Sequence, residues 1–395
     1  MSAHASPNII TDGLAFMYDT GSGKSYKGEP AENLWDSMLN TQALRSHTKH
    51  YWDGYKWLEN ATYSNPGVEG PKGTYLGLVF KHTSGAINSV WSGNSYGYML
   101  RDIVCTSGAT FTQSCWIYTS EDCDVTAIPS VIEGESGGES AVTGYPASYD
   151  LTNKGTWQVT AKKAISDGNT RFIPLYPRKN GVTDGSFTGF FMWSLPQVVA
   201  GSHVVQPIQP GVTRSATAGL LDRTNNSTIN LSNVSFDSAA QITLDGTDDY
   251  IDLGSDVSIS PDNQGWTTEY WFNTNSASTL QHFNSAENDE FNANWLAILS
   301  SKLAVWNRSP GYWKYGSTQF SSNTWYQAVF ICDAGGTNMR FYVNGEAEGG
   351  DHVGNVWTAS YSSLDVRYIG KYEYNGGHSR YFNGEINAVK IYDRA

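Results

Sequence analysis

The feature that most constrains the fold is the stretch of residues 236–254, FDSAAQITLDGTDDYIDLG. Ile242 and Leu244 alternate with polar residues, which is typical of a half-buried strand. The Asp-Gly pair at 245–246 favours a tight turn. An apolar run then resumes at residues 250–253. The stretch therefore predicts a β-hairpin of short strands.

Composition extends this prediction to the whole chain. A length of 395 residues predicts two or three domains. Aromatic residues make up 13% and charged residues only 16%, with 40 glycines, which favours short strands and many turns. Helical periodicity is nowhere sustained, and residues 35–44 are the nearest candidate for one or two helical turns. We expect an all-β protein of two antiparallel β-sandwich domains.

The C-terminal part carries a family resemblance. Its supporting segments follow one another in a fixed order: residues 236–254, 266–272 (WTTEYWF), 325–332 (WYQAVFIC), 339–345 (MRFYVNG), 369–370 and 381–394 (YFNGEINAVKIYDR). Together they resemble laminin-G-like domains of the concanavalin-A-like class. The resemblance covers residues 223–395 and implies a jelly-roll sandwich with a central hairpin. It does not choose a function, because this fold is used by lectins, enzymes and structural modules.

The N-terminal end resembles the beginning of the same domain. Residues 13–19 (GLAFMYD) alternate as a strand does. Residues 13–26 resemble the first strand of laminin-G-like domains in bacteriophage proteins. Residues 221–231 (LDRTNNSTINL) resemble the connection that follows this strand in that family. The wide separation predicts a module inserted into the first loop, which costs little if its ends lie close together.

Three regions follow from this insertion. Residues 1–31 form an N-terminal arm and the first strand of the C-terminal sandwich, residues 32–222 form the inserted module, and residues 223–395 form the laminin-G-like sandwich. The first strand is expected to pair antiparallel with residues 387–393. Phe16 or Tyr18 would then lie opposite the inward-facing residues of that closing strand.

The sequence of the inserted module also predicts an all-β fold. Its candidate strands are short, β-branched or aromatic, and bounded by turn residues: 74–80, 110–118, 156–163, 170–176, 187–193 and 203–209. Residues 32–35 (ENLW), 111–118 and 196–216 resemble segments of carbohydrate-binding-module-like jelly rolls in phage tail proteins. The resemblance implies a second jelly roll.

Charge and motifs exclude several classes of function. A net charge of −13 argues against nucleic acid and anionic membranes as partners. No apolar run is long enough for a transmembrane helix, and residues 1–12 resemble no secretion signal, so we expect synthesis in a cytoplasm. The four cysteines match no zinc spacing and are expected to be reduced and mostly buried: Cys105, Cys115, Cys123 and Cys332.

Catalysis is not expected. Glycosidases of the concanavalin-like class need two carboxylates that face one cleft, one of them in an apolar setting. The acidic groups at residues 287–290 (ENDE) and 133–135 (EGE) lie between turn residues without strand alternation. The sequence also contains no nucleophile elbow and no phosphate-binding loop. We predict a protein that is not an enzyme.

One acidic cluster raises the question of a metal. Asp245, Asp248 and Asp249 fall in one turn, and carboxylate oxygens suit calcium. The family resemblance also implies calcium at a sandwich rim in many members. Aspartates equally stabilise turns by accepting backbone hydrogen bonds. We favour the turn role and expect no cofactor, with calcium as the alternative.

Sugar binding is the best chemical candidate. Sugars stack their C–H faces on aromatic rings and pair their hydroxyls with polar groups. Two groups of aromatic and polar residues surround Pro-Gly and Gly-Gly turns, and we predict that they contact glycans: Trp306, Asn307, Tyr312, Trp313 and Tyr315, and Tyr372, Tyr374 and His378. The alternative is that these side chains cover loops or pack against another subunit.

Two classes of function remain. The first is a bacteriophage virion protein, such as a tail fibre, head fibre or surface decoration, which the phage-like segments favour. It would be made in the host cytoplasm, contact other virion proteins, form a homo-oligomer such as a trimer, and take host surface polysaccharide as its ligand. The second is a cellular lectin or the carbohydrate-binding module of a glycan-active protein.

Overall fold

The computed structural model describes residues 11–32, 34, 47–86, 108–125, 130–133, 140–141, 153–165, 170–173, 186–200, 208, 212–237, 241–260, 264–287, 296–307, 312–336, 338–349, 357–358, 364–374 and 377–395. These residues form strands, turns and bends without a helix, and accordingly none that could cross a membrane. The all-β prediction is confirmed. The helical candidate at residues 35–44 lies outside the described residues.

The strands run in chain order as follows: β1 (Leu14–Asp19), β2 (Ala31–Glu32), β3 (His47–Trp52), β4 (Gly77–Ala86), β5 (Thr110–Thr119), β6 (Ser130–Glu133), β7 (Ser140–Ala141), β8 (Trp157–Ile165), β9 (Thr170–Ile173), β10 (Ser186–Ala200), β11 (Thr213–Arg214), β12 (Ser235–Phe236), β13 (Ile242–Asp245), β14 (Ile251–Ile259), β15 (Trp266–Thr274), β16 (Gln281–His282), β17 (Asn284–Ser285), β18 (Leu296–Leu299), β19 (Lys302–Asn307), β20 (Tyr312–Tyr315), β21 (Trp325–Cys332), β22 (Asn338–Val343), β23 (Glu346–Ala347), β24 (Trp357–Thr358), β25 (Leu364–Ile369), β26 (Tyr372–Tyr374), β27 (Gly377–Ser379) and β28 (Asn383–Tyr392).

The chain divides into two compact units. Unit 1 combines Met1–Pro30 with Arg214–Ala395, and unit 2 is Ala31–Thr213. The sequence predicts an inserted module of residues 32–222, whereas unit 2 ends nine residues earlier, at Thr213. The N-terminal segment therefore belongs to the same unit as the C-terminal half, although unit 2 separates them in the chain.

The main sheet of unit 1 has nine strands in the described residues. Its order is β12-β13-β28-β15-β21-β22-β23, with β1 paired to β28 and β24 paired to β22. In the antiparallel β1–β28 pair, Phe16 lies opposite Ile391 and Tyr18 opposite Val389. All four side chains are fully buried. The predicted pairing of the first and closing strands is confirmed.

A second layer completes the sandwich of unit 1. It contains the sheets β14-β25-β17 and β16-β18-β19-β20. Tyr270 and Phe272 of the main sheet bury their rings in one core with Ile298 and Leu303 of the second layer. Stacking between Tyr270 and Phe283 at 4.9 Å extends this core. Burial of such rings is the main favourable contribution to folding here.

The hairpin predicted at residues 236–254 is wrong. Strand β13 pairs with β12 and β28, whereas β14 pairs with β25 in the other layer. The turn at residues 245–249 therefore joins two layers rather than two neighbouring strands. The physical reason is that Leu244 and Ile251 both face the core, but from opposite sides. The predicted central hairpin is confirmed, because β21 pairs with β22.

The larger sheet of unit 2 has the order β3-β4-β10-β5-β8, and a smaller one the order β7-β6-β9. Strands β5 and β8 lie where residues 110–118 and 156–163 predict them. Strand β10 is longer than the predicted 187–193, and β4 begins three residues after the predicted start of 74–80. Apart from residue 208, the strand predicted at 203–209 lies outside the described residues.

Three of the cysteines are free and buried, as expected. Cys115 lies in β5, Cys123 follows it, and Cys332 ends β21. Burial raises the pKa of the Cys115 thiol to about 12, so this side chain is an unreactive part of the core. Cys105 lies outside the described residues.

Candidate functional site

The outer face of the main sheet of unit 1 presents two tryptophans to solvent. Along β15 the buried side chains alternate with outward ones, and Trp271 is outward. Trp325 begins β21 on the same face, and both indoles are 42% exposed. Trp271 pairs with Gln327, two residues beyond Trp325. The two tryptophans are therefore diagonal neighbours, a relationship in which the Cα atoms of antiparallel strands lie about 7–8 Å apart. Two neighbouring exposed rings on one sheet face form an apolar patch, and such a patch marks a candidate contact surface.

The two tryptophans line a groove of about 420 Å³, here called the outer groove. Its lining residues come from separated parts of the chain: Asp19, Gly21, Trp271, Trp325, Asn387, Ala388 and Lys390. A β-bulge in β28 shapes it, since Trp271 pairs with Ala388 and Phe272 with Ile386, which leaves Asn387 as the extra residue. Bulges commonly redirect side chains beside binding sites.

A hydrogen-bonded carboxylate holds Trp271 in place. Oε1 of Glu269 accepts hydrogen bonds from Trp271 Nε1 and Gln327 Nε2, both at 2.9 Å. Lys390 Nζ donates to both carboxylate oxygens at 3.0 Å. Burial alone would raise the pKa of Glu269, but the hydrogen bonds and the charge of Lys390 outweigh it and hold the pKa below its usual value. The indole of Trp271 is thus oriented before any ligand arrives.

The N-terminal segment supplies one wall of the outer groove. The N–H of Thr20 donates to the carbonyl oxygen of Asn387 at 2.7 Å. Oδ1 of Asp19 accepts from the N–H of Gly21 at 2.9 Å. These bonds fix the chain as it leaves β1. The groove therefore combines flat aromatic faces with a carboxylate, an amide and an ammonium group, which is the set of groups that binds sugars.

The two aromatic groups predicted from the sequence meet in one cluster of unit 1, here called the aromatic cluster. The rings of Trp306 and Trp313 lie 5.4 Å apart. His282 lies 6.1 Å from Trp313 and 4.8 Å from Tyr372. Tyr372 is buried and the two tryptophans are half-buried. These three residues lie on strands β19, β20 and β26 rather than in the turns themselves, and β19 and β20 pair as a hairpin.

The remaining predicted residues lie around this cluster. Tyr315 is half-buried on β20, opposite Ala304. Asn307, Tyr312, Tyr374 and His378 lie on strands β19, β20, β26 and β27, and their side chains lie outside the described residues. Glycan contact by any of these residues stays a prediction.

Two charged groups accompany the aromatic cluster. The guanidinium of Arg380 lies 4.7 Å above the ring of Tyr372, within the range of a cation–π contact. Burial, and secondarily the charge of Arg380, lowers the pKa of His282 to about 3. The histidine is therefore neutral at physiological pH, in keeping with its packing between aromatic rings.

The acidic turn uses its carboxylates for backbone hydrogen bonds. Oδ1 of Asp245 accepts from the N–H groups of Thr247 and Asp248 at 2.7 and 3.2 Å. Oδ2 of Asp249 accepts from the N–H of Asp245 at 3.0 Å. One oxygen from each of the three aspartates lies within 4.8 Å of the others, so calcium is geometrically compatible with the turn. These hydrogen bonds account for the carboxylates of Asp245 and Asp249, and calcium at this turn stays an alternative.

The acidic groups considered for catalysis are only partly described. Glu287 lies 3.6 Å from Arg367 in an ion pair. Residues 288–290 and 134–135 lie outside the described residues. The absence of enzymatic activity accordingly stays a prediction.

The outer groove was not found from the sequence, although Trp271 and Trp325 fell in correctly predicted strands. The sequence feature that could have revealed Trp271 is its position in the alternation of buried and exposed residues along the strand. In β15, Trp266, Tyr270 and Phe272 share one face, and Trp271 falls on the other. A tryptophan on the polar phase of an alternating strand indicates an exposed ring.

Comparison with known proteins supports the fold of unit 1. The family model Laminin_G_3, described as the Concanavalin A-like lectin/glucanases superfamily, matches residues 245–395. This part of the chain is therefore similar to laminin-G-like domains of the concanavalin-A-like class, in agreement with the resemblance drawn from the sequence. The search of curated proteins gives no match.

Several solved structures show a weak similarity to part of the chain. The IT-sialidase CBM40 of Ruminococcus gnavus, bound to alpha2,3 sialyllactose, has 14% identity and a TM-score of 0.28 over 34% of this chain and 78% of its own. Domain 4 of AbnA, a GH43 extracellular arabinanase from Geobacillus stearothermophilus in complex with arabinotriose, has 17% identity and a TM-score of 0.30 over 46% and 88%. The SAP-like pentraxin of Limulus polyphemus has 16% identity and a TM-score of 0.28 over 35% and 66%.

Proposed function

We propose that this protein is a non-catalytic glycan-binding protein and that its outer groove holds a saccharide. The observation that carries the proposal is the exposure of Trp271 and Trp325 on neighbouring strands of one sheet face. Two exposed indoles on neighbouring strands offer apolar ring faces on which sugar rings can stack. The hydrogen bond from Trp271 to Glu269 reduces the entropic cost of binding, because the ring is already oriented.

The charge of the groove favours a neutral saccharide. Its lining contains one acidic residue, Asp19, and one basic residue, Lys390. Lys390 is already paired with Glu269, so little positive charge remains for an anionic ligand. A net charge of −13 for the chain further disfavours sulfated or sialylated polymers.

The biological setting that fits this proposal best is that of a lectin or carbohydrate-binding module. The family description for residues 245–395 names lectins and glucanases. The bacteriophage setting rests on the sequence resemblance alone. Virion partners, a trimeric state and synthesis in a host cytoplasm accordingly stay predictions.

A glycan array probed with the full chain tests the proposal. The affinity for each bound glycan is then measured for Trp271→Ala and Trp325→Ala. Loss of one stacking ring should cost about 1 kcal/mol, or about fivefold in Kd. Trp271→Phe retains an aromatic face and should lose less.

Tyr342→Ala is the matched control, because Tyr342 pairs with Val329 on the main sheet but does not line the outer groove. The glycan affinity of the Tyr342→Ala variant should equal that of the unmodified protein. The proposal fails if the intact chain binds no glycan, or if both tryptophan variants bind as tightly as the control.

A further inference from the structure

Unit 2 contains a surface pocket that the function proposed above does not use. It has a volume of about 640 Å³, within the usual range of small-molecule sites. Its lining residues all belong to the stretch 52–69, and those that can contact a ligand with polar or aromatic groups include Tyr55, Lys56, Glu59, Asn65 and Glu69. None of them lines the outer groove.

A tight turn presents one aromatic ring at this pocket. Trp52 and Trp57 form an isolated antiparallel bridge. Between them, Oδ1 of Asp53 accepts hydrogen bonds from the N–H groups of Tyr55 and Lys56, both at 2.8 Å. Tyr55 is 75% exposed. The turn is thus built by its own hydrogen bonds, and the ring of Tyr55 has no part in the core that would explain it.

A loop that also lines the pocket is fixed by indole groups. Nε1 of Trp57, Trp157 and Trp52 donates to the carbonyl oxygens of residues 68, 69 and 71, at 2.6, 3.0 and 3.2 Å respectively. The ammonium of Lys81 donates to the carbonyl oxygen of residue 66 at 2.7 Å. Four side chains therefore hold one irregular segment of six residues. A wall ordered in this way loses little entropy when a ligand binds.

The polar groups of the pocket suit hydroxyls rather than anions. Glu59 and Glu69 are acceptors, and Lys56 is a donor. Glu69 also pairs with Lys72 at 3.0 Å on the surface. Oδ1 of Asn65 accepts from the N–H of residue 67 at 2.9 Å, which directs its amide NH₂ to other acceptors. With two carboxylates against one ammonium in the lining, acidic ligands are disfavoured.

We propose that unit 2 carries a second, independent binding site for a neutral saccharide in this pocket. Tyr55 supplies the stacking ring, and Glu59 and Asn65 pair with hydroxyl groups. The turn at residues 53–56 and the loop at 66–71 keep the pocket open in the unliganded protein.

The test uses the full chain on an array of neutral and sialylated glycans, in two backgrounds. One is the unmodified chain, and the other carries Trp271→Ala with Trp325→Ala to remove the outer groove. Tyr55→Ala is added to each. Tyr75→Ala is the matched control, because Tyr75 is an exposed tyrosine of the same unit outside the pocket. Thermal unfolding checks that each variant is folded.

We expect the chain without the outer groove to retain binding to a subset of neutral glycans. Tyr55→Ala should weaken that binding at least about fivefold, and Glu59→Gln should weaken it as well, whereas Tyr75→Ala should not. The proposal is overturned if Tyr55→Ala changes nothing in either background, if the glycans lost are sialylated ones, or if the intact chain binds no glycan. Full loss of binding on removing the outer groove, with no effect of Tyr55→Ala, would support the function of unit 1 and reject this second site.

Discussion

The backbone N–H of Met17 donates a hydrogen bond to Oδ1 of Asp222 at 3.1 Å, although the two residues are 205 positions apart. Asp222 is only 3% exposed. Its carboxylate also accepts from the N–H groups of residues 224, 226 and 227, each at 3.0 Å. One buried side chain therefore ties the first strand of unit 1 to the segment where the chain returns to this unit.

Replacing Asp222 by Ala should destabilise unit 1 strongly. The change removes the acceptor of the buried N–H of Met17 and of three partly buried N–H groups, and an unsatisfied buried donor costs about 1–3 kcal/mol. We expect a loss of about 3 kcal/mol or more in the free energy of unfolding, measured by denaturant titration. Asp222→Asn keeps one oxygen acceptor and should lose less. Equal stability of the alanine variant and the unmodified protein would contradict this account.

Removal of residues 1–20 should destabilise unit 1 as well. The deletion takes away β1 and with it the buried rings of Phe16 and Tyr18. It also exposes the edge of β28, and unpaired edges promote aggregation. The melting temperature should fall, and light scattering should rise on heating. Deletion of residues 1–10 alone leaves β1 intact and serves as the control, and a similar result for both deletions would count against the role of the strand.

Acid should destabilise the protein through His282. Its pKa is about 3 in the folded chain and about 6.5 when unfolded. Between these values the unfolded chain binds a proton that the folded chain does not, so stability falls as the pH drops below about 6.5. The contribution between pH 7 and pH 5 is about 2 kcal/mol.

The free energy of unfolding of His282→Asn, compared with the unmodified protein at pH 7 and pH 5, measures this contribution. The variant should depend less on pH across this window, because asparagine does not titrate. Identical pH profiles would show that the histidine does not carry the effect. The window lies above the ordinary pKa of carboxyl groups, which limits their influence.

Trp313→Ala and Trp271→Ala should act on different properties. Trp313 packs against Trp306 and His282, and truncation of a packed aromatic ring costs about 3 kcal/mol of stability. Trp271 is 42% exposed, so its removal should change stability little and glycan affinity more. Thermal unfolding and a binding titration on both variants separate the two cases. A Trp313→Ala protein of unchanged stability that binds glycan poorly would favour the aromatic cluster as the binding site.

The sequence predicts those parts of the fold that depend on alternation along a strand. Phe16 and Tyr18 fall on one phase of β1, and their partners on β28 share the matching phase. The outcome of the turn at residue 246 cannot be predicted from alternation, because an Asp-Gly pair permits either a hairpin or a connection between two layers. Which one forms depends on the strand that β14 joins, and this is set by core packing far along the chain.

The aromatic cluster and the outer groove could not be predicted in full for the same reason, because both depend on packing between distant parts of the chain. The neighbouring turn residues indicate that Trp306 and Trp313 lie near the surface. How much of each ring is exposed depends on packing against His282 and Tyr372, and the local sequence does not show this packing. The outer groove combines residues 19, 271, 325 and 387. Only the register of β1, β15 and β28 brings such distant positions together.

Glu269 should influence glycan binding through Trp271 and not through Trp325. Its carboxylate accepts the indole N–H of Trp271 at 2.9 Å, whereas Trp325 lies on the next strand at the register position of Asn273. Glu269→Ala should therefore release Trp271 and weaken glycan binding, although the glutamate itself does not line the outer groove. We expect a loss of about 1 kcal/mol.

A double-mutant cycle tests this indirect role, because positions that act through one another are not additive. In the Trp271→Ala background, Glu269→Ala should cost almost no further affinity, since the ring that it orients is absent. In the Trp325→Ala background it should cost its full amount. Full additivity in both backgrounds would mean that Glu269 does not act through Trp271: it would then act through Lys390, which it binds at the outer groove, by direct contact with the glycan, or by general destabilisation. The melting temperatures of the same variants identify the last of these, and Lys390→Ala as the partner in the same cycle identifies the first.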